Sequence, residues 1–555
     1  MLDVTDKART NSEAFAGGPP LDFQKHLAAL ETQGLLLRIE RAINKDTELH
    51  PLMRWQFQGG LAEDQRRAFL FTNVVDSAGR RYDIPVAVGA LGASPRIYSI
   101  GMGKPVEEIE HAWTKAIANP IPPVRVASPP CQEVVVTGDD LRRAGQGLAA
   151  LPVPISTPGF DAAPYLTATI CITRDPETGI QNMGTYRAGL KATDRLGVRM
   201  AARIGGAGGY QHWRKHNKRK EPMPCAIVIG CAPVVMFTGP MKLALDLDEM
   251  GVAGGLAGAP IRVAKGVTVD LDLPADAEIV IEGMIDPDLL EPEGPFGESH
   301  GHVALEDFNM SMQVTAITRK RSPVFVSVVS QVTPSESSVL KKVAYEPMFL
   351  THLRDRLSIK GVRRVSMHEP LTNLRKVIFV QFAHGVPRTE VWRALHGAAS
   401  LLADCGKICV AVSEDIDPTN TDGIFWSLAY RSNPIEDVHI APYRSAGHGP
   451  KGSRHEDSTI LIDATLKAKA PPLALPAREF MERARTIWDE LSLPTLTPQP
   501  PWHGYSLGDW ADDWEAYARR AVAGQWELTG KETFARRRGG VTPETPVREV
   551  ETPKK

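Results

Sequence analysis

Two carboxylates five positions apart, Glu293 and Glu298, flank the tetrapeptide Gly294-Pro295-Phe296-Gly297. Two glycines and a proline in so short a run exclude a regular helix, so turn geometry can aim both acids at one spot. Paired carboxylates held in that way suit proton transfer. A solvated turn after a strand would carry the same residues, and the choice between the two readings rests on what else the chain contains.

Arg187 ends the run Asn182-Met183-Gly184-Thr185-Tyr186-Arg187, which follows the turn Asp175-Pro176-Glu177-Thr178-Gly179 and reads as the second strand of a hairpin. Its planar fork matches a carboxylate in bidentate fashion, although a surface strand arginine paired with any acid is the commoner arrangement. Asn182 and Arg187 are an odd number of residues apart, so a regular strand would point them to opposite faces. They reach one site only if the strand bends or ends, which Gly184 permits. Asp246-Leu247-Asp248-Glu249 leads into the Gly- and Ala-rich segment 251–258. Glu249 and Asn182 offer the oxygen ligands that magnesium or manganese take, and a helix N-terminus explains the same acids. Lys407 follows Gly406 at the mouth of a βα unit, where such sheets meet ligands. The densest basic run, 212–220, reads as a solvated face, with an anionic ligand tail or an oligomer contact as the alternatives.

These residues need a scaffold, and 555 residues are too many for a single core. With 43% hydrophobic residues, 23% charged residues and a net charge of -2, the composition is that of a soluble enzyme. It argues against a nucleic-acid or membrane protein, and the absence of a signal sequence or a long apolar run points to the cytoplasm. The six scattered cysteines read as reduced core thiols, and Cys405 and Cys409 alone make no metal site.

The N-terminal stretch 1–18 reads as disordered. An α/β unit follows over 19–124, with a helix opened by Asp22, strands at 35–39, 68–71 and 84–88, and a helix at 105–118. From 125 to 335, short β-rich runs punctuated by Gly and Pro predict a barrel or sandwich, among them Glu133–Val136, Leu166–Thr173, Cys225–Ile229, Val234–Thr238, Glu278–Ile285, Met312–Thr318 and Val324–Val329. The carboxylate loop falls within this section. Helix and strand alternate over 336–500, with a helix at 347–357, strands at 377–382 and 408–412 and further helices at 389–402 and 424–430, which predicts a second α/β domain. Trp-rich helices at 501–538 precede a disordered tail at 539–555.

In this order and spacing the motifs resemble the UbiD family of reversible decarboxylases. The resemblance is carried by Asn182-Met-Gly-Thr-Tyr-Arg187, Asp248-Glu249, Ala275-Asp-Ala-Glu-Ile-Val-Ile-Glu-Gly283, Glu293-Gly-Pro-Phe-Gly-Glu298, Lys407, Glu414-Asp-Ile-Asp417 and Pro501-Trp-His-Gly-Tyr505. It runs from about residue 20 to about residue 537. It implies an α/β multidomain (α+β) fold in which a central β-rich split-barrel cofactor domain at 125–335 is flanked by N-terminal and C-terminal α/β domains. The helices at 501–538 would serve oligomerisation, as a homodimer or homohexamer.

The resemblance further implies prenylated FMN (prFMN), a divalent cation (manganese or magnesium) and potassium as cofactors, with a flavin prenyltransferase as the supplier of prFMN. Arg187, Glu293 and Glu298 would be catalytic. Asn182, Thr185, Tyr186, Arg187, Arg203, Met241, Glu249 and Lys407 would contact the cofactor, Asn182 and Glu249 would hold the metal, and main-chain groups near Thr238 and Met241 would hold potassium. Other members carry a further metal-ligating histidine about twenty residues after the asparagine, whereas 199–209 contains none here. Either the cation keeps two protein ligands with phosphate and water, or Arg203 meets the phosphate directly; retention of Asn182 and Glu249 favours the first.

The implied reaction is removal of carbon dioxide from an aromatic or heteroaromatic, α,β-unsaturated acid. Arg187 would bind the carboxylate and Glu298 would return a proton. An aromatic acyl-CoA thioester such as phthaloyl-CoA is an alternative substrate, with the basic run meeting its phosphates, and a non-catalytic flavin carrier is an alternative of another class.

Overall fold

The computed structural model describes residues 15, 17–201, 207–241, 243, 247–299, 301–304, 308–368, 375–403, 405–445, 456–467, 475–496, 512–536 and 542–546. All of 501–511 and most of the segments 1–18 and 539–555, expected to be disordered, therefore lie outside the described residues. The chain divides into two compact units, Met1–Glu414 with Ser432–Ala464, and Asp415–Arg431 with Thr465–Lys555.

The first unit opens with the helix Phe23–Thr32, whose N-cap Asp22 accepts the amides of Gln24 and Lys25. Its apolar face packs on a four-stranded sheet in the order Leu36–Ile39, Ala68–Phe71, Val86–Val88, Phe325–Ser327. The last of these strands comes from the β-rich section of the sequence, yet it pairs in parallel with Val86–Val88. Wholly buried runs such as Phe325–Ser327 carry no period-2 signature of which sheet they join.

The centre is a nine-stranded antiparallel sheet. Its main path runs Gln181–Gly184, Thr169–Arg174, Met223–Ile229, Ile279–Pro292, Phe308–Arg319, Arg195–Val198, Ala188–Ala192, Tyr165–Leu166, and Val134–Thr137 pairs beside it on Phe308–Arg319. Gly184 and Ala188 lie six strand steps apart on this path. A flat sheet would separate them by about 29 Å at ~4.8 Å per strand. The three residues 185–187 cannot span more than about 14 Å. The sheet must therefore coil until its two ends meet. The link 167–168, which joins Tyr165–Leu166 to Thr169–Arg174, imposes the same closure. The barrel is thus split, its ends joined by two covalent links, and both links line the same cavity.

Val234–Thr238, whose valines predict a strand, is instead the buried helix Pro233–Thr238, with Pro233 in its first turn. Intrinsic β propensity yields there to the proline start and to burial on every side. The helix expected at 347–357 begins earlier, at Glu336, where Ser335 forms a capping box, and Pro347 lies inside it rather than at its start. After it comes a five-stranded mixed sheet in the order Val362–Met367, Val377–Phe382, Ile408–Ser413, Glu456–Ala464, Val438–Ser445. Its three central strands are parallel and both edge strands antiparallel. All six cysteines are buried.

The second unit holds the helices Thr421–Arg431, Arg478–Glu490, Asp512–Val522 and Trp526–Ala535. Among the described residues, no helix is long and apolar enough to cross a membrane.

Candidate active site

The loop 293–298 occupies the connection between the two longest strands, Ile279–Pro292 and Phe308–Arg319, which pair up to Pro292 opposite Phe308. Glu293 is thus the first residue beyond the ladder. Gly294 then takes φ +85°, a left-handed turn that L side chains avoid, and Phe296–Gly297 folds back on Val303–Ala304 as a two-residue hairpin. The chain reverses so tightly that Glu293 and Glu298 both reach Arg187.

Arg187 stands on the covalent link 185–187. Its Nε donates to Glu293 Oε1 at 2.6 Å and its Nη2 to Glu293 Oε2 at 2.8 Å. Nη2 also lies 2.7 Å from Glu298 Oε1. The guanidinium stacks 4.5 Å above the Phe296 ring, which in turn packs 4.2 Å from Tyr165. All three charged side chains are shielded, with 15% exposure for Arg187, 2% for Glu293 and 4% for Glu298. Burial alone would disfavour the Arg187 charge, but the two glutamates outweigh it and push its pKa up. Among the described residues Nη1 has no protein acceptor, so its two N–H groups are what Arg187 offers an incoming anion.

The expected strand end lies where Gly184 stops pairing with Cys171. Asn182 and Arg187 then line one cavity despite their odd separation. That cavity holds about 510 Å³, within the range of small-molecule sites. Thr185, Tyr186, Met241, Glu249 and Glu298 share its wall. The Tyr186 hydroxyl receives the Gly209 amide at 3.2 Å and the Asn182 Nδ2 at 3.4 Å. Glu249, in the first turn of the helix Glu249–Ala257, accepts the Met183 amide at 2.6 Å. Burial, only partly offset by that amide, pushes its pKa up to about 8. Glu249 and Asn182 line the same cavity, and a carboxyl and an amide oxygen are donor types that suit a hard divalent cation, whose binding would drive off the proton. Among the described residues no group of three or more His, Cys, Asp or Glu side chains converges as a metal cluster, here or elsewhere.

Not every expected residue comes to this cavity. Lys407 pairs with Asp457 at 2.8 Å, is half exposed and does not line it. Arg203 lies outside the described residues. Besides Arg187, the cationic wall residues are Arg199, Lys341, on the helix Glu336–Thr351, and Arg375, stacked 4.7 Å over Tyr345. The Thr238 carbonyl accepts the Met241 amide, closing the turn expected to hold potassium. The basic run is largely committed to the fold: Lys215 pairs with Asp175 and Glu177, Lys220 pairs with Asp288, and His212, Trp213 and His216 are buried.

Three further groups shape the site without any motif to announce them. Tyr165 packs under Phe296, its hydroxyl 3.4 Å from the Glu293 carbonyl. Buried His50 meets Ser327 Oγ at 2.9 Å, and Ser327 meets the wall residue Thr167 at 3.0 Å. Asp161 accepts two loop amides, including that of Gly297. Each lies more than a hundred residues from the group it supports, so only folding brings them together.

Residues 123–332 match the 3-octaprenyl-4-hydroxybenzoate carboxy-lyase Rift-related domain (UbiD), and residues 338–464 match the C-terminal domain of the same carboxy-lyase. The UbiD-class enzyme HmfF from Pelotomaculum thermopropionicum, solved with prFMN, is 27% identical. It aligns over 84% of this chain and 100% of its own, with a TM-score of 0.71. The closed form of vanillic acid decarboxylase from Sedimentibacter hydroxybenzoicus shares the fold at 23% identity, covering 85% of this chain and 99% of its own with a TM-score of 0.71. An uncharacterised protein of Synechocystis is 28% identical in a 445-residue alignment that covers 76% of this chain and 84% of that relative.

Proposed function

The chain belongs to the UbiD family of carboxy-lyases, and from that membership we propose that it catalyses the reversible, non-oxidative decarboxylation of an aromatic or heteroaromatic, α,β-unsaturated carboxylic acid. The observation that carries this reading is the buried Arg187–Glu293–Glu298 triad, whose Arg187 and Glu298 lie on the wall of a cavity large enough for a flavin-sized ligand. Bound there, prFMN would supply the electron sink that a carbanion at an sp² carbon needs and that no side chain provides.

The chain's own residues supply the rest. Glu293 occupies the Nε and Nη2 edge of Arg187 and so fixes the plane of the guanidinium. The Nη1 N–H groups then take the substrate carboxylate and orient it. Phe296 and Tyr165 close one side of the triad with apolar surface, which excludes water and strengthens each charge interaction. Glu298 stands against the same guanidinium and, in its protonated form, delivers to the substrate carbon the proton that replaces carbon dioxide, becoming the carboxylate that pairs with Arg187 until solvent reprotonates it; a positioned acid of this kind is worth about 10² to 10⁴ in rate.

Asn182 and Glu249 would hold manganese or magnesium beside the cofactor phosphate, Thr185, Tyr186 and Met241 would line the cofactor, and main chain near Thr238 would hold potassium. A flavin prenyltransferase would supply the prFMN. The exposed apolar residues Phe480, Ile487 and Phe534 of the C-terminal helices support an oligomer contact in the second unit.

The test is to produce the protein together with a flavin prenyltransferase without oxygen, identify the released cofactor by mass, and screen aromatic acids for carbon dioxide release. Prenylated FMN with turnover of at least one acid is expected. Plain FMN, or no flavin, with an active transferase would overturn the reading.

A further inference from the structure

The carboxylate loop is held from outside the triad by a second loop, 154–164. The Ala162 amide donates to the Pro295 carbonyl at 2.9 Å. Asp161 Oδ1 accepts the Gly297 amide at 2.8 Å, and its Oδ2 accepts the Thr157 amide at 2.6 Å. One carboxylate therefore ties the residue next to Glu298 to a turn that is itself closed by the Phe160 and Asp161 amides on the Thr157 carbonyl. Behind the turn, Arg54 donates to the Ser156 carbonyl and to both the carbonyl and the Oε1 of Gln331. The fit leaves no slack: a Cβ on Gly297 would stand 2.4 Å from Thr157 Oγ1 and 2.9 Å from Gln331 Cγ.

Gly297 lies between Phe296, which carries the Arg187 guanidinium on its ring, and Glu298, which ion-pairs with it. Whatever fixes the Gly297 amide fixes both contacts. We propose that Asp161 is the positioning residue of the carboxylate loop, setting where Glu298 stands relative to Arg187 through the Gly297 amide. Asp161 is not among the residues that line the cavity, and it bonds to none of the triad side chains. An acid a few tenths of an ångström out of place is a poorer donor, while the guanidinium keeps its two bonds to Glu293, so the expected signature is a loss chiefly in kcat. This inference rests on the decarboxylase reading for its kinetic arm only.

The test uses prFMN-loaded protein carrying Asp161→Asn, which keeps the shape of the side chain but leaves one of the two amides facing an NH₂ group. Expected are a kcat lower by about 10- to 100-fold, a KM within about threefold of wild type and unchanged cofactor content. Added to Glu298→Gln, Asp161→Asn should lower the residual rate by less than about twofold, because its effect passes through Glu298. Gly297→Ala, whose methyl would push the loop off Thr157 and Gln331, should reproduce the loss chiefly in kcat and serves in place of Asp161→Asn should that variant not fold. In cofactor-free protein, deuterium exchange of a peptide covering 293–304 should quicken in Asp161→Asn while the strand Met223–Ile229 stays protected. A kcat within about threefold, or a loss that multiplies with Glu298→Gln, would overturn the assignment. Should wild-type protein decarboxylate nothing, the functional reading fails, and the exchange comparison still decides whether Asp161 holds the loop.

Discussion

Replacing Arg187 with lysine separates the charge of this site from its shape. The guanidinium makes three charge-assisted contacts with the two glutamates, at 2.6, 2.8 and 2.7 Å, and adds a stack on Phe296 at 4.5 Å. A lysine ammonium is a single point donor on a flexible stem and cannot bridge both carboxylates and face a third anion at once. At least two of the three contacts are lost. At about 1.5 kcal/mol each, the low end for bonds to charged groups, that removes about 3 kcal/mol. At about 1.36 kcal/mol per decade, Arg187→Lys should lower kcat/KM by about 10²-fold. Initial rates of carbon dioxide release, measured with the flavin spectrum confirming equal cofactor content, give the comparison. A variant within about fivefold of wild type would refute the reasoning, since charge alone would then suffice and the planar fork would do nothing. Loss of the flavin with the rate would refute it differently, by making Arg187 a cofactor residue rather than a substrate residue.

Glu298→Gln should keep its cofactor and lose about 10²- to 10⁴-fold in turnover, read by the same assay, and near-normal decarboxylation would remove Glu298 from the proton transfer. Glu249→Gln keeps an acceptor for the Met183 amide but no charge for a cation, so bound manganese, measured by elemental analysis after dialysis, should fall at least about tenfold while the fold's thermal transition moves little. Buried His26 and His50 have pKa values lowered by burial to about 4 and about 3. The unfolded chain takes up their protons below about pH 6.5 while the folded chain does not, so their contribution is present above that pH and lost as pH falls towards about 4. Each should add up to about 1.4 kcal/mol of slope per pH unit in that window, and His50→Gln should lower the measured slope by about one proton.

Much of the site is legible because its signals are local. A Gly-Pro-x-Gly run forbids a helix wherever it occurs, and so Glu293 and Glu298 announce an aimed loop through their immediate neighbours. The conflict of parity between Asn182 and Arg187 even requires that the strand end between them, as it does at Gly184. Lys407 departs from expectation for the opposite reason. Its neighbours specify the correct βα unit, but a position at the mouth of such a unit does not say which cavity the mouth opens on, and here the lysine is satisfied by Asp457 across the sheet.

The residues that escape such a reading are those whose meaning is relational. Asp161 is one acid in a Gly- and Pro-containing loop until Gly297, 136 positions away, presents an amide to it. The closure of the sheet belongs to the same class. No strand encodes it; it follows from two short links, 167–168 and 185–187, joining strands that the ladder places at opposite ends. Those links also line the cavity, so the topological constraint and the chemistry share residues. Lengthening either link would relax the closure and separate Arg187 from the glutamates together, which is why the triad depends on barrel geometry as much as on its own side chains.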